Sequence, residues 1–402
     1  MTVYSEACDI LILSASYGGG HNQVARALTQ ALQNQASGIK ITTVDYCELL
    51  FPLFNRLTQF GYTQSIRHFP VGYALYYQAT GKISPDSFWQ KSLNRMGYTE
   101  LIVLVNKLRP KVIIATFPLP AGVLSKMKSS GDLDVPIVTV ITDISVHSQW
   151  IHPYTDLYLV GSSEVAAGLV ERGIDPSHIA VTGIPVLPEF AKRTTNPECL
   201  RRELGLRPDT KIVVFMGGSE GLFGTTNFHY LMTNIETPVE ALIITGSNYE
   251  LYEKLQALNQ AHPEIKITRY IENIAGVMEI ASVLVTKAGG LTISEALAKG
   301  LPMIIYKPSP GQEEANAAYL QKHRAALIVK GERRLRAVIQ RMVDDGQFCN
   351  RIRKNCLKLG KPNSAADCAK LVLQMIQPQT KAFFYNGGIN GGLQIGNAPG
   401  IW

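Results

Sequence analysis

Short apolar runs rich in Val, Ile and Leu alternate along the chain with longer stretches of helical period. Asp9–Ser14 reads as a first strand, followed by glycines and a helix from about Asn22 to Asn34. Lys40–Asp45, Lys111–Thr116, Ile137–Thr142, Leu157–Gly161 and Ile179–Thr182 read as further strands, each with a helix or loop after it. Alternation of this kind predicts a parallel sheet covered by helices on both faces. Gly183-Ile184-Pro185-Val186 and the polar stretch to Pro197 interrupt the rhythm, which predicts a hinge. The pattern then restarts with Lys211–Met216, Ala241–Thr245, Ile265–Tyr270, Val283–Thr286 and Met303–Tyr306. The expectation is an α/β protein of two Rossmann-like domains, 1–190 and 191–379, whose sheets face a central cleft. A final segment, 380–402, is rich in Asn-Gly and Gly-Gly pairs, lacks any period and reads as a mobile tail. In paired sheets of this type ligands bind beyond the carboxyl ends of the strands.

Composition changes this picture little. With 402 residues, 46% of them hydrophobic, the chain can build two cores. No apolar run approaches the ~20 residues that span a bilayer, and the first one, Ile10–Leu13, is too short for a signal peptide. A cytoplasmic location is expected. Six cysteines without a CxxC pair or a histidine at ligand spacing fit scattered thiols in a reducing compartment. The net charge of +7 is uneven: residues 322–381 hold 14 basic and 4 acidic side chains. Such a surface can meet anionic lipid, phosphorylated substrate or nucleic acid. No nucleic-acid module is recognisable, and no nucleic acid is expected as a partner.

Three glycine turns carry the candidate chemistry. Ser14-Ala15-Ser16-Tyr17-Gly18-Gly19-Gly20-His21 runs from strand to helix, where a bare backbone can approach an anion and free N–H groups await one. It has neither the Lys-Ser/Thr of a P-loop nor a GxGxxG spacing. His21 adds a group able to take a proton from a hydroxyl. The alternative for this residue is a capping or packing histidine. Met216-Gly217-Gly218-Ser219 follows a strand in the second half, and Thr286-Lys287-Ala288-Gly289-Gly290-Leu291-Thr292 opens a helix that carries Glu295. A carboxylate there can accept both hydroxyls of a ribose while the backbone holds a diphosphate. Pro310-Gly311-Gln312-Glu313 is a polar loop after the next strand.

In this order the blocks resemble a known family. They are GGGH ending at His21, TFP at Thr116–Pro118, TDxxxHxxW at Thr142–Trp150, TGIPV at Thr182–Val186, MGG at Met216–Gly218, TKxGGLTISEAL at Thr286–Leu297 and PGQEExN at Pro310–Asn316. The chain is similar to the diacylglycerol glycosyltransferases, namely monogalactosyldiacylglycerol synthases and processive diacylglycerol glucosyltransferases. It looks more distantly like the GlcNAc transferase of peptidoglycan lipid II synthesis. The resemblance implies a GT-B fold, a UDP-glucose or UDP-galactose donor, a diacylglycerol acceptor, inversion at the anomeric carbon, and neither an essential metal nor another cofactor. It implies His21 as the base and Glu295 as the ribose ligand. It places Gly217, Gly218, Gly289, Gly290 and Thr292 near the diphosphate and Gln312 and Glu313 near the hexose. Arg269, Tyr270 and Ile271 would lie over the uracil through their backbone. Asp143 and His147 are candidates for shaping the acceptor pocket or supporting His21, with a structural hydrogen-bond network as the alternative.

Residues 51–98 hold 11 of the 33 aromatics, five Lys/Arg and only Asp86 as an acid. Rings and cations together suit a bilayer interface. Phe60, Tyr62, Phe69, Tyr73, Tyr76, Tyr77 and Trp89 are therefore expected to meet the acceptor and anionic membrane lipid from the cytoplasmic side. The alternative is an aromatic helical cover on the first sheet. Two further readings remain at this level. One is UDP-GlcNAc transfer to a polyprenyl-linked precursor; the other is a nucleotide-sugar sensor without turnover.

Overall fold

The computed structural model describes residues 6–16, 19–50, 87–194, 196–218, 226–232, 235 and 237–376. Two six-stranded sheets form the frame, each wholly parallel. The first has the order β2-β1-β3-β4-β5-β6 and the second β12-β11-β10-β7-β8-β9. The strands of the first are β1 (Ile10–Ser14), β2 (Ile41–Asp45), β3 (Val112–Ala115), β4 (Ile137–Val140), β5 (Leu157–Val160) and β6 (Ile179–Val181). Those of the second are β7 (Lys211–Met216), β8 (Val239–Ile244), β9 (Ile265–Thr268), β10 (Val283–Thr286), β11 (Met303–Tyr306) and β12 (Ala326–Val329). The two sheets and the GT-B arrangement agree with the sequence reading. One strand, β12, was not read from the sequence. Its Ala-Leu-Ile-Val run is short and lies at the sheet edge beside β11, so it carries little periodic signal.

The strand sequences explain their burial. In β1 alternate residues face opposite sides: Ile10 and Ile12 join one core cluster, Leu11 and Leu13 another. All four are fully buried, as a parallel strand covered on both faces requires. Helices Tyr98–Leu108 and Pro118–Ser129 cover one face of this sheet. Helix Gly20–Gln35 covers the other with Val24, Ala27, Leu28 and Leu32.

The segment after β6 is packed. Gly183, at φ 89°, lies under Lys361 and Ser364, where a side chain would collide with the Lys361 stem. Ser364 Oγ accepts from Val186 N at 3.1 Å. Ser364 opens the helix Ser364–Ile376, which returns from the second half and lies against helix Gly20–Gln35. Gln35 Nε2 donates to Ala366 O at 2.8 Å, and Cys368 Sγ donates to Thr182 Oγ1 at 3.1 Å. One apolar cluster runs through both halves as a result.

Residues 380–402 lie outside the description, as do Phe60, Tyr62, Phe69, Tyr73, Tyr76 and Tyr77. Trp89 falls in helix Phe88–Leu93, with its side chain outside the described set. Among the described residues no helix is long and apolar enough to cross a membrane.

Candidate active site

Strand order reverses direction between β1 and β3 in the first sheet and between β7 and β10 in the second. Loops leaving neighbouring strands part at such points and open a crevice. The GGGH and TFP loops leave β1 and β3; the MGG and TKAGG loops leave β7 and β10. A cavity of about 650 Å³ lies between the halves. It is lined by Gly19, Gly20, His21, Gly217, Gly218, Tyr270, Ile271, Gly289, Gly290, Thr292, Glu295, Gln312 and Glu313. Three helices start on its wall, at Gly20, Gly290 and Gln312. Their free N–H groups and dipoles make the wall attractive to anions.

The His21 loop is braced from below. Ser14 Oγ donates to Asn22 Oδ1 at 2.6 Å, Asn22 Nδ2 donates to Ser16 Oγ at 2.8 Å, and Ser16 Oγ donates to Asp45. This network holds the start of the helix against β1 and β2. His21 Nδ1 lies 2.8 Å from Thr116 O and 3.1 Å from Thr142 Oγ1. A carbonyl can only accept, so Nδ1 carries the proton and Nε2 keeps its lone pair. Phe117 meets the ring edge-on at 5.1 Å, and Trp150 lies 6.4 Å away. Burial among these groups pulls the imidazole down to about 4, against the hydrogen bond to Thr116. At neutral pH the ring is an uncharged acceptor.

The described contacts of Asp143 and His147 go to residues other than His21. Asp143 accepts from Gln312 Nε2 across the cleft and from Trp150 and Asn316. Burial raises its carboxyl to about 6, and these bonds only partly oppose that rise. His147, buried, accepts from Gln149 N at 3.3 Å and caps the short Ser148–Trp150 turn. Neither residue lines the cavity. The group that does touch the base is Thr142, the first residue of the same block. A hydroxyl can lie beside Nδ1 without placing a charge there, whereas the carboxylate is already engaged by three donors.

In the second half, Thr286 Oγ1 donates to Met216 O at 2.6 Å and ties the two glycine loops together at the switch point. Gly289 has open space around it, while a Cβ on Gly290 would strike the Thr142 carbonyl oxygen. Thus the two halves meet at backbone distance there. Glu295 is buried on helix Gly290–Ala298, and burial alone raises its carboxyl to about 8. No hydrogen bond or ion pair from the described residues reaches its carboxylate. Glu313 accepts from Ser309 N at 2.6 Å and shapes its own loop. Arg269 turns its guanidinium over the Tyr249 ring at 5.2 Å and does not line the cavity. Its carbonyl accepts from Gly246 N at 2.7 Å. Two cations on the wall, Arg26 and Lys287, were not singled out in the sequence. Asn316, within PGQEExN, has no local sequence feature that assigns it a role.

Among the described residues one group could hold a metal: His229, His262 and Glu264, with ligand atoms within 4.8 Å of one another. It lies away from the cavity lining. Its imidazoles stack face to face, 3.7 Å apart and 27° from parallel.

Comparison with known proteins agrees with this geometry. Residues 21–186 match the monogalactosyldiacylglycerol (MGDG) synthase family, and residues 212–371 match the glycosyltransferase family 28 C-terminal domain. A processive diacylglycerol beta-glucosyltransferase of Bacillus licheniformis is 32% identical over 364 residues, covering 89% of this chain and 92% of the relative. That of Bacillus pumilus is 30% identical over 357 residues, with 89% and 92% covered. Acinetobacter baumannii MurG superposes with a TM-score of 0.61 at 16% identity, covering 91% of this chain and 99% of the other. Anabaena HepE, solved with UDP and glucose, superposes with a TM-score of 0.55 at 14% identity, with 91% and 99% covered. Fold and cleft define a GT-B glycosyltransferase. The chain belongs to the diacylglycerol glycosyltransferase family.

Proposed function

We propose that this chain transfers glucose from UDP-glucose to the free hydroxyl of 1,2-diacylglycerol at a membrane surface. The observation that carries this reading is the neutral, tautomer-fixed imidazole of His21 on the same cavity as the glycine turns and Glu295. In this reading the uracil lies by the backbone of Tyr270 and Ile271, and the ribose hydroxyls donate to Glu295. The diphosphate meets the Gly289–Gly290 helix start and the Gly217–Gly218 turn. The hexose faces Gln312 and Glu313. His21 Nε2 takes the acceptor proton as the acceptor oxygen bonds to the anomeric carbon. The bond from that carbon to the phosphate oxygen breaks on the opposite side, so the centre inverts. UDP leaves into a wall made positive by helix starts, Arg26 and Lys287. These groups give the leaving diphosphate a positive surround without a metal.

The names of the curated relatives support diacylglycerol as acceptor and glucose as the sugar. The aromatic and basic segment 51–98 supports peripheral docking on anionic lipid. Diacylglycerol vesicles incubated with UDP-glucose, UDP-galactose or UDP-GlcNAc, followed by mass analysis of the lipids, test the reading. Hexosyl-diacylglycerol formed fastest from UDP-glucose is expected. UDP binding without any glycolipid product would favour a sensor and overturn the proposal.

A further inference from the structure

We propose that Asn316 is a positioning residue that couples apposition of the two halves to the shape of the diphosphate loop. The inference rests on the reading above for what the loop binds. Asn316 lies on helix Gln312–Lys322 and is fully buried. Its Nδ2 donates to Ala288 O at 2.9 Å, directly before Gly289 and Gly290. Its Oδ1 accepts from Ile144 N at 3.1 Å, in the other half of the protein. Its amide also faces Asp143, the acceptor for Gln312.

One carboxamide therefore joins three segments: the turn before the diphosphate helix, the helix that carries Gln312, and the loop that carries Thr142. Thr142 is the hydroxyl beside His21 Nδ1. The base and the donor loop come from different halves, so their mutual placement is not fixed by either sheet. Asn316 supplies a direct polar bridge between them. Both backbone groups that it satisfies are otherwise obliged to find water or remain unpaired. A side chain with one donor end and one acceptor end fits these two partners; aspartate or leucine does not. The steric fit of Gly290 under Thr142 O requires the same apposition.

The test uses the full chain with Asn316→Ala and, because a buried deletion can impair folding, Asn316→Ser. Serine is too short to bridge but keeps a polar group for one partner. UDP affinity is read by calorimetry, donor KM and kcat by turnover, and compactness by small-angle scattering with and without UDP. With the fold intact by circular dichroism, kcat should fall about 100-fold, the effect of a reacting geometry displaced by about 1 Å. The UDP dissociation constant should rise, and the UDP-bound variant should keep a larger radius of gyration than the wild type. A merely structural role would lower the folded fraction and leave the affinity and radius of the folded molecules unchanged. Folded variants with wild-type radius, UDP affinity and kcat would overturn the proposal. If the wild-type chain itself binds no UDP, the functional reading fails, and the nucleotide-free radius still tests the bridge.

Discussion

His21 Nδ1 donates to the carbonyl of Thr116 at 2.8 Å, and this bond settles which nitrogen can work as a base. The residues come from the loops after β1 and β3, the two strands flanking the switch point of the first sheet. The ring is thereby set by the sheet rather than by its own helix.

Replacing His21 with Ala should lower transfer by about 10²–10⁴-fold, the usual contribution of a positioned base. UDP affinity should stay within a few-fold of wild type, because the donor groups lie on the other half. Near-normal turnover would refute the assignment. The pH dependence has a definite sign. The neutral ring is the active form, so protonation at low pH removes activity. With the imidazole pulled down to about 4 by burial, its limb of kcat/KM should fall near pH 4 instead of 6.5. A limb near 6 that disappears in Asp143→Asn belongs to Asp143.

Glu295 links nucleotide binding to protons. Its carboxyl is raised by burial to about 8, so the free protein holds a proton there at pH 7. For an acid raised above its unfolded value, stability declines as pH climbs from 4.5 to about 8, by roughly 1.4 kcal/mol per unit. Glu295→Gln should therefore raise the Tm of the nucleotide-free protein at pH 8 and change it little at pH 5. The same variant should bind UDP more weakly, since Gln offers one acceptor where the ribose diol finds two. Equal melting curves for both proteins at pH 8 would count against the buried, unpaired carboxyl.

Gly289 and Gly290 should part company on substitution. Gly290→Ala drives a methyl into the Thr142 carbonyl, a rigid backbone atom, and should hold the halves apart. A loss of transfer of at least about 10-fold is expected, with an increased radius of gyration. Gly289→Ala meets open space in the protein and has an ordinary φ of −66°. It should leave the radius unchanged and weaken only UDP binding. Identical behaviour of the two variants would show that the contact with Thr142 does not matter.

Changing Phe60, Tyr62, Tyr76 and Tyr77 together to Ser should reduce flotation with anionic vesicles while UDP binding persists. Unchanged flotation would move the membrane contact elsewhere, with the basic stretch 322–381 as the next surface to alter.

The alternation of apolar runs was enough to read eleven of the twelve strands and their parallel pairing class, because a doubly covered strand must be apolar on both faces. The glycine turns were legible for a similar reason: few other residues permit backbone to approach a ligand or another strand closely. His21, Glu295 and Gln312 could be picked out by their place in such turns, and the cavity brings them together. Local sequence could not show that Asp143 would face Gln312, 169 residues away, or that Thr142 would be the group at His21. Nor could it show that the chain's last described helix returns to the first sheet, or that Asn316 joins both halves. Those relations depend on how two independent sheets are set against each other. Periodicity along the chain specifies what each sheet must bury, while the contacts between sheets are fixed only when the folded surfaces meet.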